Sequence, residues 1–345
     1  MIELKGNKKY IRFIALILGI MSVFVAVISV GLRFKAEVSY NNDTLQTLPN
    51  STKATVNDTT NEQTTEFTTQ SESTTDPQTT KPQDGVYYPV IETHIGEGAI
   101  SYDNFYVKNT TDYTINFEEM LSKPLPFTIE DTRRVQVLIV HTHACETYLT
   151  EDTGYYSKDY YPRTADNSKN VTSVGESVAK SLKAEGIGVV QCKTQHDNPS
   201  YDGSYDRSME SIQKYLKKYE NIKVILDIHR DSIGNGGTDG KYKPTFTYNG
   251  KKAAQIMIMT GYDSDGSYNY PLWNENLIFA LKVQQKAEEM FPGMTRPLYF
   301  GNFVYNLNAN NGSLLIEVGT DVNTVEEAQY TGELLGKVIA NVLKN

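Results

Sequence analysis

Hydrophobic and polar positions divide the chain into three stretches of different texture. Residues 13–32 (FIALILGIMSVFVAVISVGL) carry no charge over 20 positions. A helix of that length rises about 30 Å, the thickness of a bilayer's hydrocarbon core. Lys5, Lys8, Lys9 and Arg12 precede it, and only Arg33 and Lys35 follow closely. That asymmetry makes residues 1–12 a cytoplasmic tail and sends the rest across the membrane. The run is longer than a usual signal-peptide core and no A-x-A site follows, so it reads as an uncleaved, single-pass signal anchor. Residues 33–85 are polar. From Ser39 to Gly85 there are 14 Thr in 47 residues and six aliphatic or aromatic ones. Such a segment buries too little apolar surface to offset its ordering entropy and reads as a disordered linker.

Residues 86–345 alternate between two periodicities. Val135–Val140 (VQVLIV), 189–190 (VV), Ile222–Ile228 (IKVILDI), Gln255–Met259 (QIMIM) and Ser313–Val318 (SLLIEV) read as strands. Helical spacing appears over Thr172–Glu185, with Val174, Val178 and Leu182 on one face and Ser173 and Glu176 spaced as a capping box. It returns at Ile212, Tyr215, Leu216 and Tyr219, over Asn274–Met290 before Pro292–Gly293, and over Thr324–Leu343 with Thr324 and Glu327 as a second box. YDNFYVKN adds an edge strand and NFEEMLSK a short helix. The alternation predicts an α/β fold with a central, mostly parallel sheet flanked by helices on both faces.

Composition then narrows the function. A formal charge of −9 speaks against a nucleic-acid binder. Two cysteines exclude a disulfide-dense scaffold and a multi-cysteine zinc ribbon. Cys192 reads as a small core residue, and a 145–192 disulfide stays open outside the cell.

Three strand ends carry the chemistry, where open α/β sheets place their sites. After Val140 come His141, His143 and Glu146, the last two in H-x-x-E spacing, which lets an imidazole and a carboxylate converge on one metal ion. After Ile228 come His229, Arg230 and Asp231, with Asp227 before them; Asp227 or Asp231 can orient a ligating imidazole. The third strand holds Glu317 in an apolar setting, costly to bury unless used. Each also has a structural reading: a hydrogen-bonded core histidine, or a carboxylate paired with Arg230. Yet three of only five histidines sit at two strand ends. Two His and one Glu with an open position is the donor set of a catalytic Zn²⁺ site. The metal ligands are therefore His143, Glu146 and His229, with His141 as the alternative. Glu317 is the general base, and Arg230 stabilises the oxyanion, binds a substrate carboxylate or pairs with Asp231. A Cys145–His nucleophile leaves Glu317 and His229 unexplained.

HTHACETY, NVTSVGESVAKSL, ILDIHRDS, PLWNENLIFALKVQ with FPGMTRP, and GSLLIEVGTDVNTVEEA together resemble the stage II sporulation protein P family, in order and across nearly the whole domain. LLIEVG with VNT and EEA also resembles the wider zinc amidase class. In that class the glutamate ligand opens the first helix; here Lys169 and Asn170 stand there, which leaves Glu146. The resemblance implies a zinc-dependent N-acetylmuramoyl-L-alanine amidase that removes stem peptides from peptidoglycan, with possible endopeptidase action on cross-links. It implies work in forespore engulfment, on the mother-cell side of the membrane, with stage II sporulation proteins D and M as partners. The rivals are a zinc carboxypeptidase or endopeptidase on the same site, and a non-catalytic, membrane-tethered wall-binding scaffold. The Tyr-rich loop 148–170 is a candidate sugar platform, through Tyr148, Tyr155, Tyr156, Tyr160 and Tyr161.

Overall fold

The computed structural model describes residues 84–129 and 134–344. The apolar run at 13–32 and almost all of the linker lie outside these residues. Among the described residues no helix is long and apolar enough to cross a membrane. They belong to one unit, Thr75–Asn345.

The apolar strands assemble as an eight-stranded sheet. Its members are β2 (Ile100–Tyr102), β3 (Phe105–Asn109), β4 (Val135–Val140), β6 (Gly188–Gln191), β7 (Val224–Asp231), β10 (Ile256–Gly261), β11 (Leu298–Gly301) and β12 (Ser313–Thr320). The spatial order is β2-β3-β11-β10-β12-β7-β4-β6. β12, β7, β4 and β6 run parallel, but β10 is antiparallel to β12 and β2 to β3. The sheet is thus mixed, where the alternating pattern led to a mostly parallel one. Periodicity reports strand identity but not direction; the 24 residues between the end of β7 and the start of β10 form no α-helix, so β10 is reached without the helical crossover that returns a strand in parallel, and it runs the other way.

Helices cover both faces. The α1 helix is Phe117–Ser122, α2 Val171–Ala184, α3 Ser204–Lys218, α4 Trp273–Met290 and α5 Val325–Lys344. Alternation along β4 shows the sidedness: Val137 and Ile139 join the large core with α2, α4 and α5, whereas Leu138 and Val140 pack with Ile212 of α3. The cap of α2 is Asn170, whose side chain accepts from Thr172 N at 2.9 Å; Ser173 lies inside the helix. The α5 box forms as spaced: Thr324 N donates to Glu327 Oε2 at 3.0 Å and Glu327 N to Thr324 Oγ1 at 3.1 Å.

A second sheet, β5-β1-β8-β9, joins β1 (Tyr87–Thr93), β5 (Tyr155–Ser157), β8 (Lys241–Tyr248) and β9 (Lys251–Ala254). Its strands carry Tyr, Lys and Pro and lack the apolar runs that mark the main sheet.

Candidate metal centre

Because β12, β7 and β4 are adjacent and parallel, their carboxyl ends open at one edge of the sheet. Glu317 pairs with His229, and Val140 with Asp227. Leu226 and Ile228 enter the large core, so Asp227 and His229 point to the other face, that of α3. Glu317 joins them there, its neighbours Ile316 and Val318 facing the large core. After β4 the chain turns through residues 142–145, and Glu146 N donates to His143 O at 3.1 Å. This brings His143 and Glu146 over the end of β7.

His143, Glu146 and His229 are all buried, with one donor atom of each within 4.8 Å of the others. His143 Nδ1 lies 3.4 Å from Glu146 Oε1, and His229 Nδ1 lies 3.3 Å from Glu146 Oε2. Ligands about 2.1 Å from a tetrahedral ion stand roughly 3.4 Å apart, so these donors are spaced for one. The far ring nitrogens are held elsewhere. His143 Nε2 hydrogen-bonds Ser204 Oγ at 3.0 Å. His229 Nε2 lies 3.0 Å from Asp227 Oδ1, at ion-pair distance though off the line of a hydrogen bond. Asp227 also accepts from Thr142 N at 2.9 Å and Thr142 Oγ1 at 2.6 Å. One carboxylate therefore anchors the His143 turn and orients His229, the outer arrangement that metal-binding imidazoles require.

The electrostatics also favour a cation. Burial opposes charge on His229, but Asp227 and Glu146 raise its pKa well above the ordinary histidine value. Burial likewise opposes ionised Glu146, yet His229, His143 and Arg230 hold it well below the usual carboxylate range. Two buried carboxylates around one imidazole call for positive charge, which a divalent ion supplies. Glu317 is different: burial, with Asp231 and Glu146, pushes it up to about 8 against the pull of His229. Its Oε2 is enclosed without a hydrogen-bond partner.

His141, the alternative ligand, is not in this group. Its Nδ1 bonds Ile228 O at 3.0 Å and its Nε2 meets Gln191 Nε2 at 2.9 Å, so both ring nitrogens are engaged. Arg230 is placed differently from an oxyanion donor. Its guanidinium donates to the carbonyls of Thr147 (3.1 Å), Pro162 (2.7 Å) and Asp231 (3.4 Å), which pins the loop after Glu146. Only its backbone N–H touches the group, donating to Glu146 Oε2 at 3.1 Å. Cys145 is a poor nucleophile, since burial and Asp197 push its thiol up to about 11. Both cysteines are free.

In the Tyr-rich loop, Tyr148 and Tyr156 are buried, and Tyr160 donates its hydroxyl to Asp321 O. Tyr161 is exposed. The aromatic ring stacked on His143 is one that sequence reasoning missed. Tyr201 is 51% exposed and stacks on His143 with centroids 4.4 Å apart. Ser204 and Tyr205, at the start of α3, complete that wall. No spacing rule linked them to the strand ends 60 residues earlier.

A mixed α/β sheet that gathers two imidazoles and a carboxylate beside a partnerless glutamate defines a candidate metal-dependent hydrolase. The family model for stage II sporulation protein P (SpoIIP) matches residues 25–340, and the chain belongs to that family. Stage II sporulation protein P of Bacillus subtilis (strain 168) is 30% identical over 218 residues, 60% of this chain and 50% of the relative. The match thus spans about half the length of that curated relative. Similar solved structures include the N-acetylmuramoyl-L-alanine amidase AmiC2 of Nostoc punctiforme (13% identity, 61% of this chain and 95% of that one, TM-score 0.36). The amidase of Clostridium difficile 630 shows 18% identity over 61% and 96%, with a TM-score of 0.35. The catalytic domain of CwlV from Bacillus (Paenibacillus) polymyxa shows 14% over 61% and 97%, with a TM-score of 0.34.

Proposed function

We propose that this chain is a zinc-dependent peptidoglycan amidase that cuts the N-acetylmuramoyl-L-alanine bond. The observation that carries the reading is the buried His143–Glu146–His229 group with Glu317 unpaired beside it. The substrate is the one the family resemblance implies.

His143, Glu146 and His229 would hold the ion. Bound there, zinc supplies a Lewis acid that polarises the scissile carbonyl and makes water acidic enough to attack near neutral pH. Glu317 takes the proton of the attacking water and returns it to the leaving amine of L-Ala. Its raised proton affinity suits both halves of that transfer. Asp227 keeps His229 oriented through Nε2, and Arg230 fixes the loop that carries Glu146. Residues 13–32 would anchor the domain outside the membrane through the 33–85 linker. Work in engulfment on the mother-cell side, with stage II sporulation proteins D and M as partners, belongs to the same proposal.

The test incubates the full-length protein with purified peptidoglycan, with and without a chelator, and reads the products by mass spectrometry. Free stem peptides beginning with L-Ala, lost on chelation and restored by Zn²⁺, are expected. Glu317→Gln is expected to keep its zinc and lose at least about 10²-fold in rate. His143→Ala is expected to lose both. Cleaved cross-links with intact muramoyl amides would move the assignment to an endopeptidase. A protein without zinc that releases nothing would leave the scaffold reading.

A further inference from the structure

Arg296 stands just before β11 and has no part in the mechanism above. Register sets its side. Ile256 bridges Thr295, and Arg296 N donates to Ile256 O at 2.7 Å. Arg296 therefore shares a face with Met257, which pairs with Glu317, which pairs with His229. One row across the sheet thus carries Arg296, Met257, Glu317 and His229. The arginine reaches along this row: its Nη1 lies 2.9 Å from Asp231 Oδ2, two residues beyond His229. It also pulls electrostatically on Glu317.

Two features separate Arg296 from a structural ion pair. It is 7% exposed, yet its Nε and Nη1 are enclosed without a hydrogen bond of proper geometry. Glu317 Oε2, the nearby anion, is also unpartnered, and among the described residues no ion pair joins the two. Buried charged donors left without acceptors are costly, and a guanidinium fork matches a carboxylate in two parallel bonds. Arg230 cannot serve this role, since backbone carbonyls take its guanidinium.

We propose that Arg296 is a substrate-binding residue whose guanidinium takes a carboxylate of the stem peptide next to the scissile amide. The identity of that peptide rests on the amidase reading. The residue after L-Ala in a stem peptide is a γ-linked D-Glu, whose free α-carboxylate is the anion nearest the cut. Asp231 holds the guanidinium toward the row and leaves Nε free for the ligand. Replacing that carboxylate by a carboxamide removes the charge and one acceptor, so Arg296 makes the site selective for the acid form.

The experiment uses full-length protein, wild type and Arg296→Gln, with two muropeptides that differ only in a carboxylate or carboxamide at that position. Wild type is expected to favour the carboxylate by about 10- to 100-fold in kcat/KM. Arg296→Gln is expected to lose that preference by slowing at least about 10-fold more on the acid than on the amide, with zinc content unchanged. Arg296→Lys, which keeps the charge without the fork, is expected to retain part of the preference and covers the case in which the glutamine variant does not fold. Calorimetric binding of the free stem peptide to metal-stripped protein gives a readout independent of cleavage. Equal rates of wild type on both substrates, or an equal loss on both in the variants, overturns the proposal and leaves the amidase reading intact. Arg296-dependent peptide binding without any cleavage does the reverse.

Discussion

His141 and His143 stand two residues apart, and their surroundings separate them. His143 turns toward Glu146, while His141 sits in the core with both nitrogens engaged, and burial lowers its pKa to about 4. The sign follows from that depression. The folded value lies below the ordinary 6.5, so His141 contributes stability in full above pH 6.5 and loses it as pH falls toward 4. The contribution is on the order of 3 kcal/mol. Urea melts from pH 7 to 4 should show the stability gap between wild type and His141→Gln narrowing with acid. A gap independent of pH would mean that His141 is not a neutral core residue.

At the scale of elements, the closest packing joins α2 to α5. A side chain on Gly332 would meet Val174 O at 2.8 Å, and one on Gly336 would meet Ser181 Cβ at 2.5 Å and Val178 O at 2.8 Å. Ser181 Oγ also donates to Glu333 O at 2.8 Å. Two small residues four apart let the helices approach at backbone distance. Gly336→Val forces them apart and should cost about 1–3 kcal/mol by overpacking, read as a lowered thermal midpoint. The site should be spared, since these helices lie on the face opposite Asp227, His229 and Glu317. Zinc content per folded molecule should therefore be unchanged. A third glycine acts at the site itself. Gly319 adopts φ +62° where the β12–β7 register shifts after Glu317, a conformation other residues resist.

At the scale of the molecule, Lys243 ties the small sheet to the main body. It is 1% exposed on β8 and lies 2.7 Å from Asp152, 3.1 Å from Glu327 at the start of α5 and 3.5 Å from Glu92. Asp152 and Glu92 are well exposed and solvent screens them, so the pair with buried Glu327 carries most of the consequence. Lys243→Ala strands that carboxylate and should cost about 3–5 kcal/mol. The double variant Lys243→Met with Glu327→Gln should recover much of it, and calorimetric melts would compare the two. Similar losses in both would mean that the lysine's packing matters more than its charge.

Much of this was legible in one dimension. Apolar runs placed β4, β7, β10 and β12 to within three residues, because a strand buried on both faces must be apolar nearly throughout. The box at Thr324 and Glu327 was readable because capping is local. The H-x-x-E spacing and the polar ends of two further strands named His143, Glu146, His229 and Glu317, because costly polar residues in apolar strands stand out. What depended on tertiary contact was hidden. The direction of β10, the choice between His141 and His143, and the binding of Arg230 to the carbonyls of Thr147 and Pro162 all arise between segments distant in sequence. Tyr201 and Ser204 reach His143, and Arg296 reaches Asp231, only because the segments leading into α3 and β11 fold back to the ends of β4 and β7. The small sheet escaped for a related reason: its Lys- and Tyr-rich strands have no long apolar run of their own and are placed by partners elsewhere in the fold, among them the ion pairs of Lys243 and the packing of Phe246, Ala253 and Ala254 in the large core. Local free energies are written in neighbouring residues, whereas a hydrogen bond across 80 positions leaves no periodic trace, and only the fold decides which donor meets which acceptor.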